Sequence, residues 1–270
     1  MTINFKYTMS FALNNQVEKF LTEEPTVSFE NALSTNQLYD LKEVALEFLE
    51  IKEKEFPQRN FWIRRGGIEN NEYIKNFSES YLKKLLPRDD TVLIGDTAFV
   101  INYPPHDIHI DCRDFRMSKD RAGIISYKSM VIPLEVTANE YPILYTADQY
   151  FYGPTTRFRH GSKEFDNNDK ESQRQQSVGI QFSYNYKEDG MKYVSNNSLT
   201  KEWYDANIDA QHYTPYSNFQ GISIEKENLW KPGNIIIFDS ARIHFGSNIA
   251  KKGAKFKIGI SLNYGIKATI

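Results

Sequence analysis

From residue 91 onward the chain is punctuated like a β protein. Residues 91–103, 122–136, 142–152, 177–186, 234–239 and 255–264 are β-branched or aromatic runs, each bounded by Gly, Pro, Asn or Asp. Unbroken apolar stretches such as 235–238 are strand-sized. None approaches the roughly 20 residues that a membrane helix needs. The expected core is therefore β.

Residues 1–90 read as helical. Behind the cap-type residues Ser34 and Thr35, the positions Leu38, Leu41, Val44, Ala45, Phe48 and Ile51 recur at three- and four-residue spacing, and Pro57 ends the pattern. A second amphipathic pattern, Tyr73, Ile74, Phe77, Tyr81, Leu82 and Leu85, stops at Pro87. Each has one apolar face that must pack on something. With no Ser/Gly/Pro linker, residues 1–270 are expected to form one domain: 1–90 as helical support, 91–270 as the β core. Two stretches interrupt that core. Residues 155–176 are polar without an apolar period, and residues 196–230 are rich in Tyr, Asn and Gln, with a helix hint only at 199–208. Insertions of this length commonly serve as lids or connectors.

Composition narrows the function. With 33 Lys+Arg against 35 Asp+Glu the net charge is −2, which lacks the basic excess that drives nucleic-acid or anionic-membrane binding. A single cysteine, Cys112, excludes an internal disulfide or a Cys-rich zinc site and is expected to be an inert buried thiol. The first ten residues, MTINFKYTMS, have neither a basic n-region nor a long apolar run, so a cytoplasmic location is expected. Of the 17 tyrosines, 10 lie between Tyr141 and Tyr216, which suggests a ring-lined pocket there.

Five histidines occur. His109 and Asp111 stand two apart in IHIDC, so on a strand both side chains share one face and Ile108 and Ile110 the other. An imidazole beside a carboxylate supplies two of the three ligands of a non-haem iron site. Downstream, KPGNIIIFDSARIHFGSN gives a turn, an apolar strand, a polar turn and His244. KFKIGISLNYG then places Lys255 and Lys257 on one face with Ser261. His106, His160 and His212 read as turn or loop residues.

NYPPHDIHID and WKPGNIIIFDSARIHFGS together resemble the Fe(II)/2-oxoglutarate-dependent oxygenases, whose pattern is HxD, a distant His, then a basic residue and often a Ser. The resemblance covers roughly residues 91–265. It implies a mainly β fold, a double-stranded β-helix of the jelly-roll or cupin type with flanking N-terminal helices. It implies His109, Asp111 and His244 as iron ligands. Lys257, Lys255 or Arg242 would anchor the distal carboxylate of 2-oxoglutarate, with Tyr103, Asn102 and Ser261 nearby. In that family 2-oxoglutarate and O2 take the remaining iron positions, and decarboxylation to succinate is coupled to oxidation of a C–H bond. Relatives that halogenate have Ala or Gly where this chain has Asp111, so a hydroxylase is expected. Its substrate would be a small molecule or an amino acid, free or in a peptide. Arg113 and Arg116 would clamp an anionic substrate, Arg157, Arg159 and His160 are weaker candidates for that role, and Tyr145 would form either pocket wall, where it could touch substrate, or core. The rival readings are a peptide side-chain hydroxylase and a metal-binding cupin without oxygenase chemistry.

Overall fold

The structure, a computed structural model, describes residues 23–55, 62–66, 68–102, 108–111, 124–151, 191–192, 195–208 and 216–267. Ten strands form two antiparallel sheets: β1 (Val27–Phe29), β2 (Trp62–Gly66), β3 (Thr91–Asn102), β4 (Ile124–Val136), β5 (Ile143–Phe151), β6 (Met191–Lys192), β7 (Ile224–Leu229), β8 (Ile235–Asp239), β9 (Arg242–Gly246) and β10 (Lys257–Lys267). The larger sheet has the order β1-β8-β4-β10-β3-β2; the smaller has β6-β5-β7, with β9 also paired to β5. This is the expected mainly β, jelly-roll architecture, with three α-helices among the described residues: α1 (Thr35–Glu55), α2 (Glu72–Ser80) and α3 (Lys201–Asn207).

Alternation along β10 explains the layering. Ile258, Ile260, Leu262 and Tyr264 face outward and pack with Leu41 and Ala45 of α1 and with Ile74 and Phe77 of α2. The capping expectation holds at α1 as a capping box: the Ser34 amide donates to Gln37 Oε1 at 2.9 Å, and the Gln37 amide donates to Ser34 Oγ at 3.3 Å. At α2, Asn71 Oδ1 accepts from the Ile74 amide at 3.1 Å. The opposite face of β10, Lys257, Gly259, Ser261 and Asn263, looks into the space between the sheets. A smaller apolar cluster fills part of that space, with Val131, Ile236 and Phe238 from the larger sheet, Leu144 from β5, and Trp230 from the β7–β8 turn.

The outer face of the smaller sheet is covered too. Tyr145, Ala147, Phe151, Ile243 and Phe245 pack with Leu199, Tyr204 and Phe219. Both sheets thus bury both faces.

Two expectations need correction. Residues 1–90 are not purely helical support, because β1 and β2 form the two edges of the larger sheet. At three and five residues these strands are too short to show a period, and their pairing comes from the open edges of β8 and β3. Residues 196–230 are likewise not merely an insertion: they hold α3, as hinted, and the charged edge strand β7. The stretches 155–176 and 177–186 lie outside the described residues.

Candidate metal centre and co-substrate pocket

His109 reaches His244 through an isolated antiparallel bridge rather than a full strand. Each amide donates to the other's carbonyl, at 3.0 Å and 2.9 Å. The Asp111 amide donates to Ser240 O at 3.1 Å, which fixes the second ligand beside the β8–β9 turn. Ile108 and Ile110 are buried in the outer cluster, so His109 and Asp111 point the other way, as the two-residue period predicts. β9 is held in turn by β5, where Thr146 stands opposite His244.

The three side chains converge. Asp111 Oδ1 lies 3.5 Å from His109 Nε2 and 3.6 Å from His244 Nε2, and all three ligand atoms fall within 4.8 Å of one another. His244 Nδ1 is 3.0 Å from Arg242 O; with the proton on Nδ1 donating to that carbonyl, the Nε2 lone pair is left for an ion. Burial, reinforced by His109, lowers the His244 pKa to about 4, so the ring is neutral at pH 7, the form that ligates. The Phe238 ring, 4.5 Å away centroid to centroid, backs His244 from the facing sheet. Two imidazoles and one carboxylate suit a divalent iron and leave coordination positions for small ligands.

Three cations were expected to compete for the co-substrate carboxylate, and the structure separates them. Lys255 precedes β10 and is exposed. Arg242 is buried but engaged: it donates to Ala147 O (2.6 Å), Glu24 O (2.9 Å) and the Tyr150 hydroxyl, and pairs with Glu225 at 3.2 Å. Lys257 is only 1% exposed, and its ammonium has no hydrogen bond or ion pair among the described residues. It lies over the Trp230 ring, 3.8 Å from the centroid. Burial lowers its pKa to about 7. Asn102 stands directly opposite Lys257 across β3 and β10, and its Oδ1 is buried without a partner. Ser261 lies on the Lys257 face four residues further along β10.

Of the two places expected for Tyr145, pocket wall or core, the structure gives the core. The residue neighbours Thr146 on β5 and therefore faces away from His244, stacked on Phe245 at 5.3 Å and edge-on to Trp203 at 5.1 Å. Tyr204 and Tyr216 join the same outer cluster, so these rings of the Tyr-rich region cover the smaller sheet instead of lining the metal pocket. Tyr103, Arg113, Arg116, Cys112, His106, Arg157, Arg159, His160 and His212 lie outside the described residues. Sequence reasoning missed Trp230 and Gly259. A glycine two residues after the buried lysine was the only local sign that something lies flat on β10.

No family model and no curated protein sequence matches the chain. Similar solved structures include HygX from Streptomyces hygroscopicus with nickel and 2-oxoglutarate bound (10% identity, 94% of this chain and 86% of that one, TM-score 0.44). Others are the non-heme alpha ketoglutarate dependent carbocyclase SnoK from nogalamycin biosynthesis (11%, 94% and 85%, 0.49) and the epimerase SnoN in complex with Fe3+, alpha ketoglutarate and nogalamycin RO (8%, 94% and 84%, 0.49). At these identities the chemistry rests on the side chains described above.

Proposed function

We propose that this chain is an Fe(II)- and 2-oxoglutarate-dependent oxygenase that hydroxylates an unactivated C–H bond of a small molecule or amino acid. One observation carries the reading: the His109–Asp111–His244 set opens into the same barrel interior in which Lys257 is buried with no counter-charge among the described residues. A buried ammonium is costly, and native interiors leave few polar groups unsatisfied. A carboxylate arriving from solvent would satisfy it.

The two imidazoles and the carboxylate fit the iron, and the buried Lys257 ammonium fits the distal carboxylate. His109, Asp111 and His244 would hold the iron, which when bound supplies the oxidation of the C–H bond at the expense of 2-oxoglutarate and O2. Lys257 would bind the distal carboxylate of 2-oxoglutarate as a point charge, without the fork of an arginine. Phe238 and Trp230 exclude water from the interior, which strengthens the Lys257–carboxylate attraction. Arg242 would act through its main chain, keeping the His244 tautomer. A cytoplasmic setting, which keeps iron ferrous, belongs to the same proposal, as does the absence of nucleic-acid and membrane partners. No helix among the described residues is long and apolar enough to cross a membrane.

The test is anaerobic addition of Fe(II) and 2-oxoglutarate, followed by air and a succinate assay. A weak visible charge-transfer band and succinate formation, both lost in His109→Ala, are expected. Metal binding with neither band nor succinate would establish a non-oxygenase cupin instead. Protection of the fold from protease by small molecules and not by peptides would favour the small-molecule substrate.

A further inference from the structure

Among the described residues Lys257 has no acidic partner, and its neighbour is Trp230. Trp230 follows β7 directly, and its amide donates to Pro142 O at 2.8 Å, which ties the turn to the start of β5. Its six-membered ring lies flat on β10: a Cβ on Gly259 would stand 2.5 Å from Trp230 Cζ2 and 2.9 Å from Cη2. No residue but glycine leaves that space. The same indole lies 3.8 Å, centroid to ammonium, from Lys257 Nζ, and its own Nε1–H is buried without an acceptor. Thus Gly259 admits Trp230, and Trp230 carries Lys257.

The geometry points to Trp230 as the positioning residue of the 2-oxo acid pocket, setting its preference for a dicarboxylate by holding the Lys257 ammonium at the pocket's inner end. The inference rests on the oxygenase reading above. A desolvated cation over an indole face is favoured without being neutralised. It keeps its full attraction for an incoming carboxylate, whereas an Asp or Glu partner would compete with one. A 2-oxo acid whose tail is uncharged would leave Lys257 as it is and gain nothing there.

The experiment is calorimetric titration, under argon, of the Fe(II)-loaded protein with 2-oxoglutarate and with 2-oxobutyrate, which shares the chelating head and lacks the distal carboxylate. The wild type is expected to prefer 2-oxoglutarate. In Trp230→Leu that preference falls by about tenfold, through 2-oxoglutarate alone, with 2-oxobutyrate and Fe(II) affinities unchanged. In Trp230→Phe, which keeps a smaller π face, it falls by about threefold. An unchanged preference, or equal weakening of both acids, overturns the role of Trp230. If Trp230→Leu does not fold, Trp230→Phe decides on the same readout. A wild type that binds Fe(II) but neither acid overturns the oxygenase reading itself, a result distinct from a wild type with the preference and a variant that retains it.

Discussion

His109 and His244 face each other across a single antiparallel bridge, with their rings 4.1 Å apart, centroid to centroid, although 134 residues (244 − 109 = 135 positions) of chain turn back between them. Backbone pairing, and not a loop, thus sets the separation of two of the three candidate ligands. Such a site is preorganised before an ion arrives.

That preorganisation predicts a thermal signature. Fe(II), Co(II) or Ni(II) at about a hundred times its Kd will stabilise the native protein by about 2.7 kcal/mol. Asp111→Ala will fold but lose most of that gain, because a carboxylate is the only anionic ligand of the set. Scanning calorimetry with and without metal reads the difference. An Asp111→Ala protein with a full metal-induced rise in Tm would contradict the assignment.

Lys257 predicts a pH dependence. Its folded pKa is lowered to about 7 from the usual 10.5 by burial. Between those values the unfolded chain holds more protons than the folded one, so this group makes stability rise with pH from about 7 to 10.5, and below 7 its whole cost persists. Lys257→Met should therefore be more stable than wild type near pH 6, and the gap should narrow by pH 10. Urea titrations at the two pH values provide the check.

The same group governs affinity with the opposite trend. Only the ammonium attracts a carboxylate, so 2-oxoglutarate binding should weaken above pH 7, by up to about tenfold per unit. 2-Oxobutyrate binding should not share that slope. Parallel pH profiles for the two acids would show that Lys257 does not contact the co-substrate.

Gly259→Ala should cost about 1–3 kcal/mol, since its methyl would meet both the Trp230 ring and, at 3.2 Å, Ile132 O. Adding Trp230→Phe, which removes the clashing ring atoms, should recover part of the loss. A double-mutant cycle with no coupling would show that the contact is not the cause.

Arg242→Met should destabilise by roughly 2–4 kcal/mol, below the figure for a wholly buried pair because the Glu225 side chain keeps 17% exposure. Glu225 would lose its cation while still bound by Thr26 and Thr146. Denaturant midpoints of Arg242→Met and of the double variant with Glu225→Gln measure this.

His244 entered through the family resemblance; the His109–Asp111 half of the candidate ligand set was legible because the alternation of extended backbone is local. The choice among Lys255, Lys257 and Arg242 was not. The two lysines have the same parity, and only the start of β10 at Lys257 separates them. Arg242 is engaged by Glu225 and by a carbonyl 218 residues away, which no window on the sequence contains. The choice between wall and core for Tyr145 was hidden for a related reason. Period two says that Tyr145 and Thr146 face opposite ways, but with both faces of the smaller sheet covered, apolarity does not say which is inside. β7, with Glu225, Lys226 and Glu227 in its six residues, looked like a loop because an edge strand need not be apolar.

The pairing of β1 with β8 bears on how the chain reaches this state. Thr26 donates to Glu225, Ser28 to Asn228, and Arg242 to Glu24, all across about 200 residues of sequence. During synthesis, residues 26–29 have none of these strand partners until β7 and β8 have been made. Closing the barrel seam is therefore a late event, and contacts this distant in sequence make for slow folding. Until β1 docks on it, the newly made β8 edge, rich in isoleucine, stays open. Exposure of Ile235, Ile236 and Ile237 before that docking is thus the point at which a nascent or refolding chain is most prone to associate with another.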